Sequence, residues 1–353
     1  MKKKVLSMVL SMAMATAMLV GCGASSDNNE TIKEEETAAN AEGKVYKVGI
    51  VQYVDDASLN QIVANIESQL DLLAKENGCT FEYEDYYYNG NADSTTINQI
   101  VTELINDEVD VLVPIATPTA MICQAATEDN QIPVVFAAVS DPEAAGLVES
   151  NDAPGSNVTG TSDALNTEAV LDLMLEQNRD LDKVGLLYDK GQDSSAGPIK
   201  DAKKYLEAAG IEYVEKTGNT NDEVMLAADA LVAEGVEAVF TPTDNTIMTA
   251  ELGIYEKFIE AGIPHYCGAD SFALNGAYLG YGVNYATLGK ETANMVAEIL
   301  VEGKNPATLP VKTLDNGTAT VNTETAAALN LDYDKLRDMC DGLVEVQTAE
   351  EFD

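Results

Sequence analysis

Two stretches of this chain carry the same order of short β-rich runs and amphipathic segments, and that duplication limits the possible folds more than any other feature. Val45–Tyr53 is a strand candidate. Leu59, Ile62, Val63, Ile66, Leu70 and Leu73 follow at helical spacing behind two possible caps, Asp55 and Asp56, and Gly78 closes the helix. Thr80–Tyr86 is the next strand, and Ile97, Ile100, Val101, Leu104 and Ile105 form another helical face. Val109–Ile115 is nearly all apolar, as a strand covered on both faces must be, and Ile132–Val139 is a further strand. From Lys183 the pattern begins again. Lys47–Val51 matches Lys183–Leu187, Val109–Val113 matches Val236–Phe240, and Ile132-Pro133 matches Ile263-Pro264. Three matches in one order, at a period far too long for a solenoid, imply two equivalent α/β halves. The expected fold is therefore two doubly wound parallel-sheet domains facing a central cleft. A length of 353 residues fits two domains of roughly 150 each.

Open parallel sheets bind ligands beyond the carboxyl ends of their strands, so the cleft loops can be read from the sequence. In the first half they are Gln52–Ser58, Ala116–Thr119 and Val139–Pro142. In the second they are Tyr188–Ser195, Thr243–Thr246 and Asp270–Phe272. Thr117-Pro118-Thr119 stands at a strand-to-helix junction, where free N–H groups and hydroxyls make an anion site. In the repeat register Thr117 aligns with Asp244, Pro118 with Asn245 and Thr119 with Thr246. A hydroxyl cradle facing an acid suits a zwitterion, with its carboxylate on Thr117 and Thr119 and its ammonium on Asp244. Ser140, Asp141, Asp270 and Ser271 occupy the next equivalent strand ends, where binding a ligand and capping a turn are both open. Tyr53, Tyr188, Phe272 and Tyr285 are candidates for an apolar wall, and Gln52, Ser58, Ala116 and Asn245 complete the candidate set.

Composition narrows the chemistry. The formal net charge is −40, so a phosphate-rich partner such as nucleic acid is repelled. Arg179 and Arg337 are the only arginines, so a ligand carboxylate must be held without a guanidinium. A single His, no CxxC spacing and no nucleophile or nucleotide-binding motif leave no catalytic residue, metal or cofactor to expect. The chain is read as a non-enzyme. The N-terminus has the layout of an export signal: Lys2, Lys3 and Lys4 precede an apolar run that ends Leu19-Val20-Gly21-Cys22. That end resembles a bacterial lipobox, in which the cysteine is acylated and becomes the first mature residue. Residues 1–21 are then a signal peptide, and 22–44 the lipidated Cys22 and a polar tether without periodicity. The expected location is the extracytoplasmic face of a bacterial cell membrane.

The segments Pro114–Met121, Phe136–Pro142, Asn157–Asp163, Thr241–Thr246, Gly268–Ser271 and Gly282–Tyr285 carry a family resemblance across residues 44–346. Together they resemble ABC-transporter substrate-binding lipoproteins of the group with tryptophan- and tyrosine-binding members, which have the type I periplasmic binding protein fold. The resemblance implies three crossovers between domains. Residues 45–160 with 284–307 would form one domain, and 161–283 with 308–346 the other. It implies capture of an amino acid, aromatic or large and apolar, by hinge closure, with a membrane permease as partner and a monomeric receptor. A sugar or nucleoside receptor of the same fold and a sensor-associated receptor stay open as alternatives.

Overall fold

The computed structural model describes residues 43–352. The signal, Cys22 and most of the tether lie outside the described residues. The first sheet is built from β1 (Val45–Gln52), β2 (Thr80–Glu82), β3 (Tyr87–Asn89), β4 (Val111–Ile115), β5 (Val134–Phe136) and β6 (Val158–Ser162). The second begins with β7 (Lys183–Tyr188), β8 (Glu212–Thr217), β9 (Ala238–Thr241), β10 (His265–Cys267) and β11 (Leu279–Gly282). The duplication is realised strand by strand. The first sheet runs β5-β4-β1-β2 through its centre and the second runs β10-β9-β7-β8, all parallel.

Between these strands lie α1 (Ala57–Asn77), α2 (Ser94–Asn106), α3 (Thr117–Thr127), α4 (Thr167–Gln177), α5 (Asp193–Ala209), α6 (Asn221–Glu234), α7 (Asn245–Ala261) and α8 (Asp270–Leu274). The caps follow the sequence signals. Asp56 accepts from Ser58 N and Leu59 N at the start of α1, and Gly78 ends it in the left-handed conformation at φ 65°. The core strands β4 and β9 are buried along their whole length. One apolar cluster fills the first domain and continues through the interdomain seam onto one face of the second sheet. The other lies under α4 and α5 on the opposite face.

After β11 the chain returns to the first domain as α9 (Tyr285–Leu300), which packs on α1, and then adds β12 (Lys312–Thr313) beside β6. It leaves again through β13 (Thr318–Asn322) and β14 (Gly342–Val346) in the second sheet. The chain thus passes between the sheets three times. Two details differ from the expected layout. Lys312–Thr313 falls in the range expected of the second domain but pairs with Thr161 and Ser162 of the first sheet. The second sheet is also not wholly parallel, since β13 runs antiparallel to β11. The link from Thr313 to Thr318 is short and arrives at the carboxyl end of β11, next to Gly282, so the new strand can only run back. Cys79, Cys123, Cys267 and Cys340 are unpaired, and the first three are buried.

Candidate functional site

The helices α1, α3, α5 and α7 each follow a central strand, so their N-termini converge on the cleft from both domains. Each end carries a partial positive charge; α1 and α7 are capped by Asp56 and Asp244, whereas α3 and α5 have no side-chain cap. Where the four ends meet, the walls enclose a cavity of only about 10 Å³, room for about one water. Ser58, Ala116, Thr117, Ser140 and Tyr285 line it from the first domain and Asn245 from the second. All six were candidates from the sequence.

Asp163 is the one carboxylate in this lining, and sequence reasoning passed over it. It lies just past β6, at the first crossover, and is 4% exposed. Ser140 Oγ donates to its Oδ1 at 3.0 Å, and the Tyr285 hydroxyl approaches its Oδ2 at 3.4 Å. Burial pushes its carboxyl up to about 6, with the two hydroxyls opposing that shift. Leu59, Ala138 and Met248 supply an apolar side to the cavity, and Thr243 and Ser194 a polar one. The Ser194 hydroxyl is buried without a hydrogen-bond partner, as is that of Thr119, two residues beyond Thr117 in the first turn of α3 and outside the lining. An orphaned buried hydroxyl on a cavity wall is a polar group held ready for a ligand.

The remaining candidates sit elsewhere, each for a visible reason. Asp244 is fully buried and caps α7. Its Oδ1 accepts from Thr246 N and Ile247 N, both at 3.0 Å, and its Oδ2 from Asp189 N at 2.7 Å and Ser195 Oγ at 2.6 Å. Four internal donors occupy the carboxylate that the sequence reading assigned to a ligand ammonium. Gln52 is likewise consumed within the first domain, bonded to Val54 O, Asn60 Oδ1 and the Tyr87 hydroxyl. Asp141 is exposed and caps a turn through Ala144 N. The expected aromatic wall reduces to Tyr285. Phe272 packs edge-on against His265 in the core, with ring centroids 6.3 Å apart, and Tyr188 donates to Glu215 Oε2. Tyr53 is buried facing Gln192 of the second domain, outside the cavity lining.

Asp270 and Ser271 form the seam beside the cavity rather than its wall. Ser58 Oγ donates to Asp270 Oδ1 at 2.5 Å, Gln61 Nε2 donates to its Oδ2 at 3.0 Å, and Ser271 N donates back to Ser58 Oγ at 3.1 Å. The start of α1 is thereby tied across the cleft to the start of α8.

Two duplicated α/β domains, three crossovers and a small cavity between facing helix ends define a hinge-type solute-binding protein. Comparison with known proteins narrows the class. A profile of the ABC transporter substrate binding protein family matches residues 47–336, and the chain belongs to that family. It is similar to a tyrosine-binding protein of Clostridioides difficile, with 30% identity over 329 residues, 93% of each chain. It also resembles the solved structure of an ABC domain in complex with L-Trp from Streptococcus pneumonia. There the TM-score is 0.77 and the identity 26%, over 85% of this chain and 99% of that one. A ligand-free, open substrate binding protein with adhesive properties from Clostridium difficile is 28% identical but superimposes less well, at a TM-score of 0.66 over 86% and 100% of the two chains. In the present chain the two domains are in contact across the cleft through Ser58, Gln61, Asp270 and Ser271, which is a shut form.

Proposed function

We propose that this chain is the extracytoplasmic receptor of an ABC importer and captures a free aromatic amino acid between its two domains. The observation that carries this reading is the pairing in one cavity of a lone buried carboxylate, Asp163, with the open N-terminus of α3. Asp163, Ser140 and Tyr285 hold the ligand ammonium. The N–H groups and hydroxyls at Thr117 and Thr119, with the Asn245 amide opposite, take its carboxylate without an arginine. Leu59, Met248 and the Tyr285 ring border the side chain, and a thioether against an aromatic ring adds roughly 0.3–1.5 kcal/mol. The tyrosine-binding relative and the Trp-bound structural neighbour support an aromatic side chain over a sugar or nucleoside. A cavity of about 10 Å³ is too small for an amino acid, so the domains part to admit one and reclose around it.

A thermal-shift panel of the common amino acids, sugars and nucleosides tests the ligand class. Binding at a hundredfold excess over Kd stabilises by about 2.7 kcal/mol, and tyrosine and tryptophan are expected to give the largest shifts. Shifts confined to sugars or nucleosides would overturn the assignment. Delivery to a permease implies anchoring at the membrane, and Cys22 is the proposed acylated residue. Expressed in a bacterial host, Cys22→Ala should leave the membrane fraction; co-sedimentation equal to the parent's would rule the anchor out.

A further inference from the structure

The seam between the domains buries more carboxyl groups than the ligand site needs. Asp56 caps α1 and is 8% exposed, and both cap bonds, from Ser58 N at 2.9 Å and Leu59 N at 3.3 Å, go to its Oδ1. Its Oδ2 is therefore the oxygen that can carry a proton without breaking the cap. Asp270 arrives from the other domain; burial pushes its own carboxyl up, and the bonds it accepts from Ser58 Oγ and Gln61 Nε2 oppose that and favour its ionised form. Its charge acts on Asp56. Next to it, the fully buried Ser271 hydroxyl faces Asp56 but meets no partner with hydrogen-bond geometry. The other titratable groups around this point are Asp163, beyond β6, and the Tyr285 phenol, on α9, which feels Asp56, Asp163 and Asp270 together. Glu351, from the C-terminal segment, reaches α1 one turn away and accepts from Asn60 Nδ2 at 2.7 Å. None of the groups acting on Asp56, Asp163 or Asp270 is a lysine, arginine or histidine.

We propose that Asp56 is a positioning residue that couples closure to proton uptake, so that the Ser58–Asp270–Gln61 clasp forms fully only when Asp56 is neutral. This rests on the reading of the chain as a hinge-closing receptor. Asp270 and Ser271 belong to the other domain, so parting the domains takes them away from Asp56 and opens the start of α1 to water, which removes the causes of a raised carboxyl. In the shut form, burial first and, less strongly, the Asp270 charge push it up to about 7, against the helix-end N–H bonds of Leu59 and Ser58 and the neighbouring Ser271 hydroxyl. The sign follows directly. The shut form binds the proton more tightly, so acid favours closure, and the advantage is lost as pH rises through about 7. With ligand bound, the ammonium keeps Asp163 ionised; in the ligand-free protein Asp163 titrates in the same direction at about 6 rather than about 7, so the scattering is compared between the parent and Asp56→Asn at the same pH.

The test measures tyrosine and tryptophan affinity by calorimetry at about pH 8 and pH 6, together with the small-angle scattering radius of the ligand-free protein. The parent should bind about tenfold tighter at the lower pH and take up roughly half a proton at pH 7 beyond what Asp56→Asn takes up. Asp56→Asn retains a good cap. It should bind at about pH 8 as tightly as the parent does at pH 6, with no remaining pH dependence from this group. Gln61→Ala weakens the clasp without touching Asp56, and should lower affinity severalfold at both pH values while keeping the slope. A parent pH slope unchanged in a folded Asp56→Asn would overturn the proposal. If neither amino acid binds, the ligand assignment fails instead. The proposal is then judged on scattering alone, which must show the parent more compact at the lower pH and Asp56→Asn compact at both.

Discussion

Two buried aspartates with nearly the same pKa do different work, and their partners say which does what. Asp163 and Asp244 are both pushed up to about 6, burial being the first cause in each. Asp244 has four internal donors, however, while Asp163 has one good hydroxyl donor and faces the cavity. Asp163→Asn should therefore lower affinity for the amino acid about ten- to a hundredfold, the worth of a charge-assisted bond of roughly 1.5–3 kcal/mol. It should leave the melting temperature close to the parent's. Asp244→Asn should do the reverse. An amide cannot accept from donors on both sides, and leaving one buried N–H or O–H unpaired costs about 1–3 kcal/mol of stability. Calorimetry and thermal melts of the two variants, with a des-amino analogue as probe, separate these roles. Loss of affinity in Asp244→Asn at unchanged stability would reverse the assignment. The repeat register pointed to Asp244 because it aligned with Thr117. Asp163 follows β6, which the register did not pair with a second-half strand, so only its place at the crossover marked it.

At the scale of elements, the pairing of α1 with α9 decides how firmly the cleft wall is held. Gly289 on α9 lies against α1 so closely that an added Cβ would stand 2.5 Å from the Ile62 carbonyl oxygen and 3.0 Å from Asn65 Cβ. Gly289→Ala must push the helices apart, which costs about 1–3 kcal/mol despite the better helix propensity of alanine. A melting temperature lower by roughly 2–4 °C for each kcal/mol is expected. Because α1 begins with Ser58 and Leu59 at the cavity, ligand affinity should fall as well. A melt and titration indistinguishable from the parent's would show that the helices have slack at this contact. The helix α1 was legible from its apolar spacing, but its contact with α9 was not, because α9 comes from a distant part of the chain. The sense of β13 was equally hidden, since alternation along a strand carries no direction.

The whole molecule combines a net charge of −40 with buried carboxyls that resist ionisation. Asp56 at about 7, and Asp163 and Asp244 at about 6, all lie above the ordinary value of 3.8. The folded chain thus holds these protons more tightly than the unfolded chain. Its stability should rise as pH falls from above 7 toward about 5, before other carboxylates that help hold the fold are protonated. Self-repulsion of the acidic surface acts in the same direction, but salt screens it. Melting curves at about pH 8 and pH 6, each at low salt and at about 1 M, where the Debye length is roughly 3 Å, tell the two apart. An acid-induced rise that survives high salt is the expected result. A rise that high salt abolishes would assign the effect to the surface alone.

The local pattern by itself determined the class of fold and the location of the cleft. Apolar runs such as Val109–Ile115 must be covered on both faces, and a duplicated βα order leaves few ways to do that. The helix caps at Asp56 and Asp244 and the Thr117 junction belong to that same local information, because a cap is satisfied by neighbours a few residues away. Only the tertiary structure decided which strand-end groups keep a free lone pair. Asp244 and Gln52 are spent on partners within their own domains, from Asp189 and Ser195 to Tyr87. Ser58 and Asp270 find each other across 212 residues of chain. Hydrogen-bond capacity is finite and is allotted by packing between distant segments, and sequence spacing carries no record of that allotment.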